Sequence, residues 1–160
     1  MFRIGHGSDI HRLETGKPLI LGGVLIESEK GAVGHSDADC LTHAVTDALL
    51  GALALGDLGS HFSDKDERWR GAESFVFLRF AVGLMKEKGF SVVNVDSTIS
   101  LETPKLRLFI DEMRKNFANA LEIETNCVSV KAKTGEKVDA VGKSEAIKAE
   151  AVVLLQKISE

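Results

Sequence analysis

The spacing of apolar and polar residues changes period several times along the chain, and each change marks an element. Phe2 to His11 reads as a glycine-rich strand, and Leu19 to Leu25 as two short strands joined at Gly22-Gly23, a hairpin signal. Gly31 to Asp37 reads as a loop. From Ala38 to about Leu55 the pattern is helical, with Gly56 placed to cap the end. Asp57 to Gly71 is polar and turn-like. A second helix follows over about Glu73 to Lys88, with Leu78, Val82 and Met85 on one stripe and Gly89 as its stop.

Val93, Val95, Ser97, Ile99 and Leu101 then alternate with Asn94, Asp96, Thr98 and Ser100, the period of a half-buried strand. Thr103-Pro104 reads as an N-cap followed by proline at the first helical position, opening a third helix whose apolar face is Leu106, Ile110, Met113 and Phe117. Cys127 to Thr134 reads as another strand. A last helix is expected over about Ser144 to Ile158, burying Ile147, Ala151, Leu154, Leu155 and Ile158. With no internal repeat and no linker, the elements sum to an α/β (α+β) fold: a single domain over residues 1–160, one mixed sheet covered by helices.

Composition narrows the function. A chain of 160 residues, 44% hydrophobic and 28% charged, is long enough for a substantial core. Its net charge of −4 excludes a general nucleic-acid binder, which carries a basic surplus, though not a nucleotide substrate. No apolar run approaches the roughly 18 residues of a membrane span. The strand pattern begins directly after Met1, so no signal or transit peptide is expected. Cys40 and Cys127 stand far apart and form neither a C-x-x-C pair nor a disulfide framework, which suits a reducing cytoplasm.

All five histidines fall within the first 61 residues. Asp9 and His11 are two apart, so on a strand their side chains leave the same face, while His6, at an odd spacing, points away. His43 lies in the first helix with Asp39 and Asp47 four residues to either side. Either aspartate could take the second imidazole N–H of a metal-bound histidine. Two imidazoles and a carboxylate with an open fourth position make a catalytic zinc arrangement; the same residues could also form only surface ion pairs. His35-Ser36-Asp37 precedes the helix, as a phosphate-binding end or as ordinary capping by Ser36 or Asp37. Lys131, Lys133, Thr134, Glu136 and Lys137 suit a diphosphate with a magnesium ion, or a solvated loop. Phe62, Asp64, Asp66 and Trp69 suit a polar loop with aromatic anchors.

Several short motifs in one order resemble a known family over nearly the whole chain. They are G-H-G-S-D-I-H-R at Gly5 to Arg12, H-S-D-A-D at His35 to Asp39, T-D-A-L-L-G-A at Thr46 to Ala52 and G-D-L-G at Gly56 to Gly59. F-S-D-K-D at Phe62 to Asp66, N-V-D-S-T-I at Asn94 to Ile99, P-K-L at Pro104 to Leu106 and K-A-K-T-G-E-K ending at Lys137 complete the series. The pattern is similar to that of the 2-C-methyl-D-erythritol 2,4-cyclodiphosphate synthases of non-mevalonate isoprenoid synthesis. The resemblance implies a metal-dependent lyase that converts 4-diphosphocytidyl-2-C-methyl-D-erythritol 2-phosphate to the cyclic diphosphate and CMP. It further implies a cytoplasmic homotrimer with active sites between subunits.

By position, the resemblance implies that Asp9, His11 and His43 hold Zn2+. Glu136 would hold a second ion, Mg2+ or Mn2+, together with the substrate diphosphate. His35 and Thr134 match catalytic residues that steady the transition state, and Ser36 a substrate contact. Asp57, Gly59, Phe62, Asp64 and Asp66 match contacts around the methylerythritol part. Leu101, Pro104, Lys105, Leu106, Ala132, Lys133 and Lys143 match contacts to the cytidine and its phosphates. The chain departs from the common pattern at Ser8, often phenylalanine, at Lys133, often threonine, and at Ala140 and Lys143, often an aromatic residue and arginine. Those aromatic and arginine positions surround a three-fold cavity for an isoprenoid diphosphate, and a lysine point charge does not reproduce arginine's fork. On the residues alone, two other readings share the cluster: a metal-dependent phosphohydrolase, and a non-catalytic nucleotide- or metal-binding module.

Overall fold

The computed structural model describes residues 1–158, so the last two residues of the expected domain, 159 and 160, lie outside the described residues. The elements in order are β1 (Phe2–Thr15), β2 (Leu19–Leu21), β3 (Val24–Ile26), β4 (Lys30–Ala32), α1 (Cys40–Ala52), α2 (Leu58–His61), α3 (Ser74–Glu87), β5 (Phe90–Ser100), α4 (Ile110–Leu121), β6 (Val128–Lys133), α5 (Asp139–Gly142) and β7 (Ala146–Lys157). Five strands form one mixed sheet in the order β4-β1-β7-β5-β6, antiparallel throughout except for β5 and β6, and β2-β3 form a separate hairpin. Gly22 and Gly23 make its turn at φ 56° and 72°, a conformation that glycine adopts without steric cost.

The main correction concerns the C-terminus. The expected helix over Ser144 to Ile158 is strand β7, paired with β1 on one side and β5 on the other. Ile147, Ala149, Ala151, Val153 and Leu155 are each at most 1% exposed, at period two. The segment satisfies both periods, and its Ala, Glu, Lys and Leu content favours a helix. Two flanking strands with open hydrogen-bonding edges override that preference. Ile158, expected in the core, is 54% exposed.

Smaller differences have local causes. Helix α1 starts at Cys40 rather than Ala38, because Ala38 takes φ 57° and the Asp39 carboxylate caps the helix by accepting from Thr42 N–H at 3.0 Å. It ends at Ala52, before Gly56, with Ala54 left-handed at φ 56°. Thr103-Pro104 does not open a helix: the peptide is cis, and α4 begins at Ile110. Leu106 is nonetheless buried, as are Met113 and Phe117. A bulge between Val92 and Asn94 shifts the β5 register, so Val92 rather than Val93 points inward.

Helix α1 lies flat on the sheet. A Cβ at Gly5 would sit 1.9 Å from the Ala48 carbonyl oxygen, and one at Gly7 2.1 Å from that of Ala44. Only glycine lets the two backbones approach this closely. The opposite face of β1 and its partner β7 exposes Phe2, Ile4, Ile10 and Val152. Among the described residues, no helix is long and apolar enough to cross a membrane.

Candidate metal centre and adjoining clefts

Strand alternation turns Gly5, Gly7, Asp9, His11 and Leu13 toward α1 and leaves His6 exposed on the other face. The seat that Gly5 and Gly7 provide brings His43, on the underside of α1, onto Asp9 and His11. Asp9 Oδ2 lies 2.9 Å from His11 Nε2 and 3.0 Å from His43 Nδ1, and the two ring nitrogens are 3.3 Å apart. Among the described residues these three form the one cluster of histidine, cysteine or acidic side chains whose donor atoms all lie within 4.8 Å.

The donor set fits a divalent metal. A tetrahedral ion with bonds of ~2.0–2.1 Å has ligand–ligand edges of about 3.3 Å, near the separations found. His11 Nδ1 donates to the Val33 carbonyl at 2.9 Å, which leaves Nε2 free to face the cluster. Burial pushes the Asp9 carboxyl up, but hydrogen bonds from His11 and His43 outweigh it and hold the group well below the usual carboxylate range. Burial likewise lowers His11, and the Asp9 carboxylate more than reverses it, so its pKa is raised. Cys40 donates its S–H to the Asp9 carbonyl at 3.2 Å; burial pushes its thiol up, so it serves as a structural donor.

Neither aspartate flanking His43 orients its ring. Asp39, wholly buried, accepts from Gly22 N–H, Gly23 N–H, Thr42 N–H and the Thr42 hydroxyl at 2.7–3.0 Å, and so ties α1 to the β2-β3 turn. Burial raises its pKa against those hydrogen bonds. Asp47 accepts from Leu58 N–H at 2.7 Å, and its pKa is raised by burial. The second nitrogen of His43 faces hydroxyls instead, Ser74 Oγ at 2.8 Å and Ser36 Oγ at 3.2 Å. Sequence reading missed Ser74. Asp37, expected as a possible cap of α1, accepts from Ser74 N–H at 2.9 Å and caps α3.

A cleft of about 210 Å³ opens beside the cluster, lined by His11, His35, Ser36, His43, Phe62 and Asp64 together with Leu58, Ser63, Trp69 and Phe77. His35, Ser36, Phe62 and Asp64 therefore gather as the sequence suggests. Trp69 meets Phe62 edge-on at a centroid distance of 5.0 Å and forms the aromatic wall with Phe77. His35 Nε2 donates to the Asp66 carbonyl at 3.1 Å, pinning the 57–71 segment over the cleft. Asp57 caps α2 through Ser60 and Asp66 pairs with Arg68, both side chains turned to their own loop, and Gly59 lines no part of the cleft.

A second cleft, of about 430 Å³, is lined by Leu101, Pro104, Lys105, Leu106, Ala132, Lys133 and Thr134, with Arg107, Ile110, Val130 and Lys131. Seven sequence-selected residues thus converge where β6 leaves the sheet. Thr134 donates its hydroxyl to Glu136 Oε1 at 2.7 Å, which places that carboxylate at the cleft's end. Lys143 is exposed after α5 and lines neither cleft. The two clefts share no lining residue.

Residues 2–156 match the family described as the YgbB family. A relative from Solibacter usitatus named 2-C-methyl-D-erythritol 2,4-cyclodiphosphate synthase is 54% identical over 97% of this chain and 98% of its own. One of the same name from Methylobacillus flagellatus is 52% identical over 98% of both chains. Among solved structures, a 2C-methyl-D-erythritol-2,4-cyclodiphosphate synthase in its CDP-bound form superposes with a TM-score of 0.89 at 42% identity, covering 96% of this chain and 100% of that one. The bifunctional IspDF of Campylobacter jejuni superposes with a TM-score of 0.95 at 35% identity, covering 99% of this chain and 43% of that one.

Proposed function

Because the chain belongs to the YgbB family, we propose that it is a cyclising phosphorus–oxygen lyase of isoprenoid synthesis. It converts 4-diphosphocytidyl-2-C-methyl-D-erythritol 2-phosphate to 2-C-methyl-D-erythritol 2,4-cyclodiphosphate and CMP. The observation that carries this reading is the convergence of Asp9, His11 and His43 beside a cleft, in a chain whose near-full-length relatives bear the synthase name.

The reaction asks little covalent chemistry of the protein. An oxygen of the substrate's 2-phosphate attacks the β-phosphorus, one P–O bond forms, the bond to the cytidylate oxygen breaks, and CMP leaves in line. The nucleophile is already an anion, so no serine or cysteine is needed. The protein's tasks are to hold a flexible substrate in a ring-closing pose and to place donors where charge develops. His35, Ser36, Phe62 and Asp64 receive the methylerythritol end, with Asp57, Gly59 and Asp66 shaping the loop around it. Lys105 and Lys133 supply positive charge for the cytidylate, whose base lies against Leu101, Pro104, Leu106 and Ala132. His35 and Thr134 steady the transition state. Zn2+ held by Asp9, His11 and His43, with Mg2+ or Mn2+ held by Glu136 and the diphosphate, would supply Lewis-acid neutralisation of phosphate charge.

The assembly is a homotrimer with the site between subunits. Two features support it: the two clefts share no lining residue, and the sheet face turned away from α1 exposes Phe2, Ile4 and Ile10 at 61–71%. The chain, residues 1–160 as one catalytic domain, works in a reducing cytoplasm; both cysteines are free thiols. Incubation with the cytidine diphosphate substrate, read by 31P NMR, tests the reaction. Cyclic diphosphate and CMP in equal amounts are expected; linear phosphates would assign the site to a phosphohydrolase, and no turnover to a binding module.

A further inference from the structure

The hydroxyl behind His43 can face the ring in one way only. Ser74, the first residue of α3, is wholly buried, and its Oγ stands 2.8 Å from His43 Nε2. A hydroxyl has one proton to give. That proton goes to Asp37 Oδ1. The Asp37 carboxylate is itself fixed, because its Oδ2 accepts from Ser74 N–H at 2.9 Å and its Oδ1 from Asp39 N–H at 3.1 Å. With its proton committed, Ser74 Oγ can only accept from the imidazole. His43 therefore carries a proton on Nε2, so in the neutral ring that binds a metal Nδ1, which faces Asp9 and His11, is the nitrogen left to ligate.

We propose that Ser74, gripped by Asp37, is a positioning residue that fixes the Nδ1-ligating tautomer and the ring plane of His43 for the metal. The pair does for His43 what the Val33 carbonyl does for His11, where an acceptor at Nδ1 frees Nε2. The loop that carries Asp37 and the start of α3 are remote in sequence, and backbone hydrogen bonds lock them: Asp37 N–H donates to the Ala72 carbonyl at 3.0 Å, and Gly71 N–H to that of His35 at 2.8 Å. The loop that carries His35 and Ser36 is thus tied to the start of α3. Ser36 Oγ, the other group facing Nε2, is farther at 3.2 Å, and it also accepts from Ala38 N–H at 3.3 Å. Ser36 borders the cleft, which leaves its hydroxyl open to substrate, whereas Ser74 lines no part of it.

This inference rests on reading Asp9, His11 and His43 as the metal ligands, and the test separates the two. Zinc affinity of the full chain is measured by competition with a chromophoric chelator for wild type, Ser74→Ala and Ser74→Thr, with thermal unfolding as the check on folding. The histidine rings of the zinc-loaded wild type are assigned by long-range 1H–15N correlation. Removing an outer partner of a zinc-bound histidine typically weakens metal binding by about 10- to 100-fold, which is the loss expected for Ser74→Ala, with recovery in Ser74→Thr. In wild type, His43 should be bound through Nδ1, with a solvent-protected proton on Nε2. Affinity in folded Ser74→Ala within about twofold of wild type, or a His43 bound through Nε2, would overturn the proposal. Should Ser74→Ala not fold, the wild-type ring assignment alone decides. Wild type that takes up no stoichiometric zinc would instead overturn the metal reading itself.

Discussion

Replacing Gly7 by alanine tests the physical basis of the site without touching a ligand. A Cβ at this position would stand 2.1 Å from the Ala44 carbonyl oxygen and 2.6 Å from the Ala48 amide nitrogen, both main-chain atoms of α1. Real Cβ atoms essentially never come within 3.0 Å of such neighbours, so helix and strand must separate by roughly 0.9 Å or more. No side chain can swing away to absorb the change. Overpacking of this kind costs about 1–3 kcal/mol, and more where backbone must move. For a domain of this size each kcal/mol lowers Tm by roughly 2–4 °C, so a fall of about 5–10 °C is expected. The same lift carries His43 away from Asp9 and His11, which now hold it at 3.0–3.3 Å. A displacement of about 1 Å can cost 10²-fold in rate. Differential scanning calorimetry, zinc titration and CMP release read the three effects on one sample. Wild-type Tm and wild-type zinc affinity in Gly7→Ala would refute the claim that backbone contact between β1 and α1 builds the centre.

His43→Ala should lower zinc content and CMP release together, the first read by metal analysis; undiminished turnover in metal-free mutant protein would count against the site. Asp39→Ala leaves four donors without their acceptor in a wholly buried place, and at about 1–3 kcal/mol for each orphaned group it should destabilise the fold by more than 3 kcal/mol. Chemical denaturation measures that loss, and a change below 1 kcal/mol would show the cap to be dispensable. Asp47 has its folded pKa raised by burial, so its charge opposes folding above that pKa, and the penalty vanishes as pH falls below the unfolded value of about 3.9. Asp47→Asn, which can still accept from Leu58 N–H, should therefore be at least as stable as wild type at pH 7, with any gain gone near pH 4; Tm across that range checks the sign.

Much of the site was legible in the sequence because strands have a strict period of two. That period alone puts Asp9 with His11 and sends His6 to the other face. It could not place His43, since nothing in local spacing says which helix face meets which strand. The glycines at 5 and 7 carry that information, but only as an absence of side chain. Asp39 and Asp47 show the opposite error: four-residue spacing on a helix suggested partners for His43, whereas tertiary contacts recruited them to cap α1 and hold Leu58. Ser74 was invisible because it acts across 31 positions and belongs by pattern to the start of another helix. Strand β7 looks helical in sequence because propensity is local and its pairing is not; it lies between β1 and β5, whose edges exist only once the chain has folded.

An intramolecular attack, with the centre gripping phosphate rather than activating water, leaves no solvent oxygen in the products. Turnover in water enriched in oxygen-18, with both products analysed by mass spectrometry, tests this most directly. Unlabelled CMP and unlabelled cyclic diphosphate are expected, because every phosphate oxygen in the products comes from the substrate. One labelled oxygen in a linear phosphate product would contradict it.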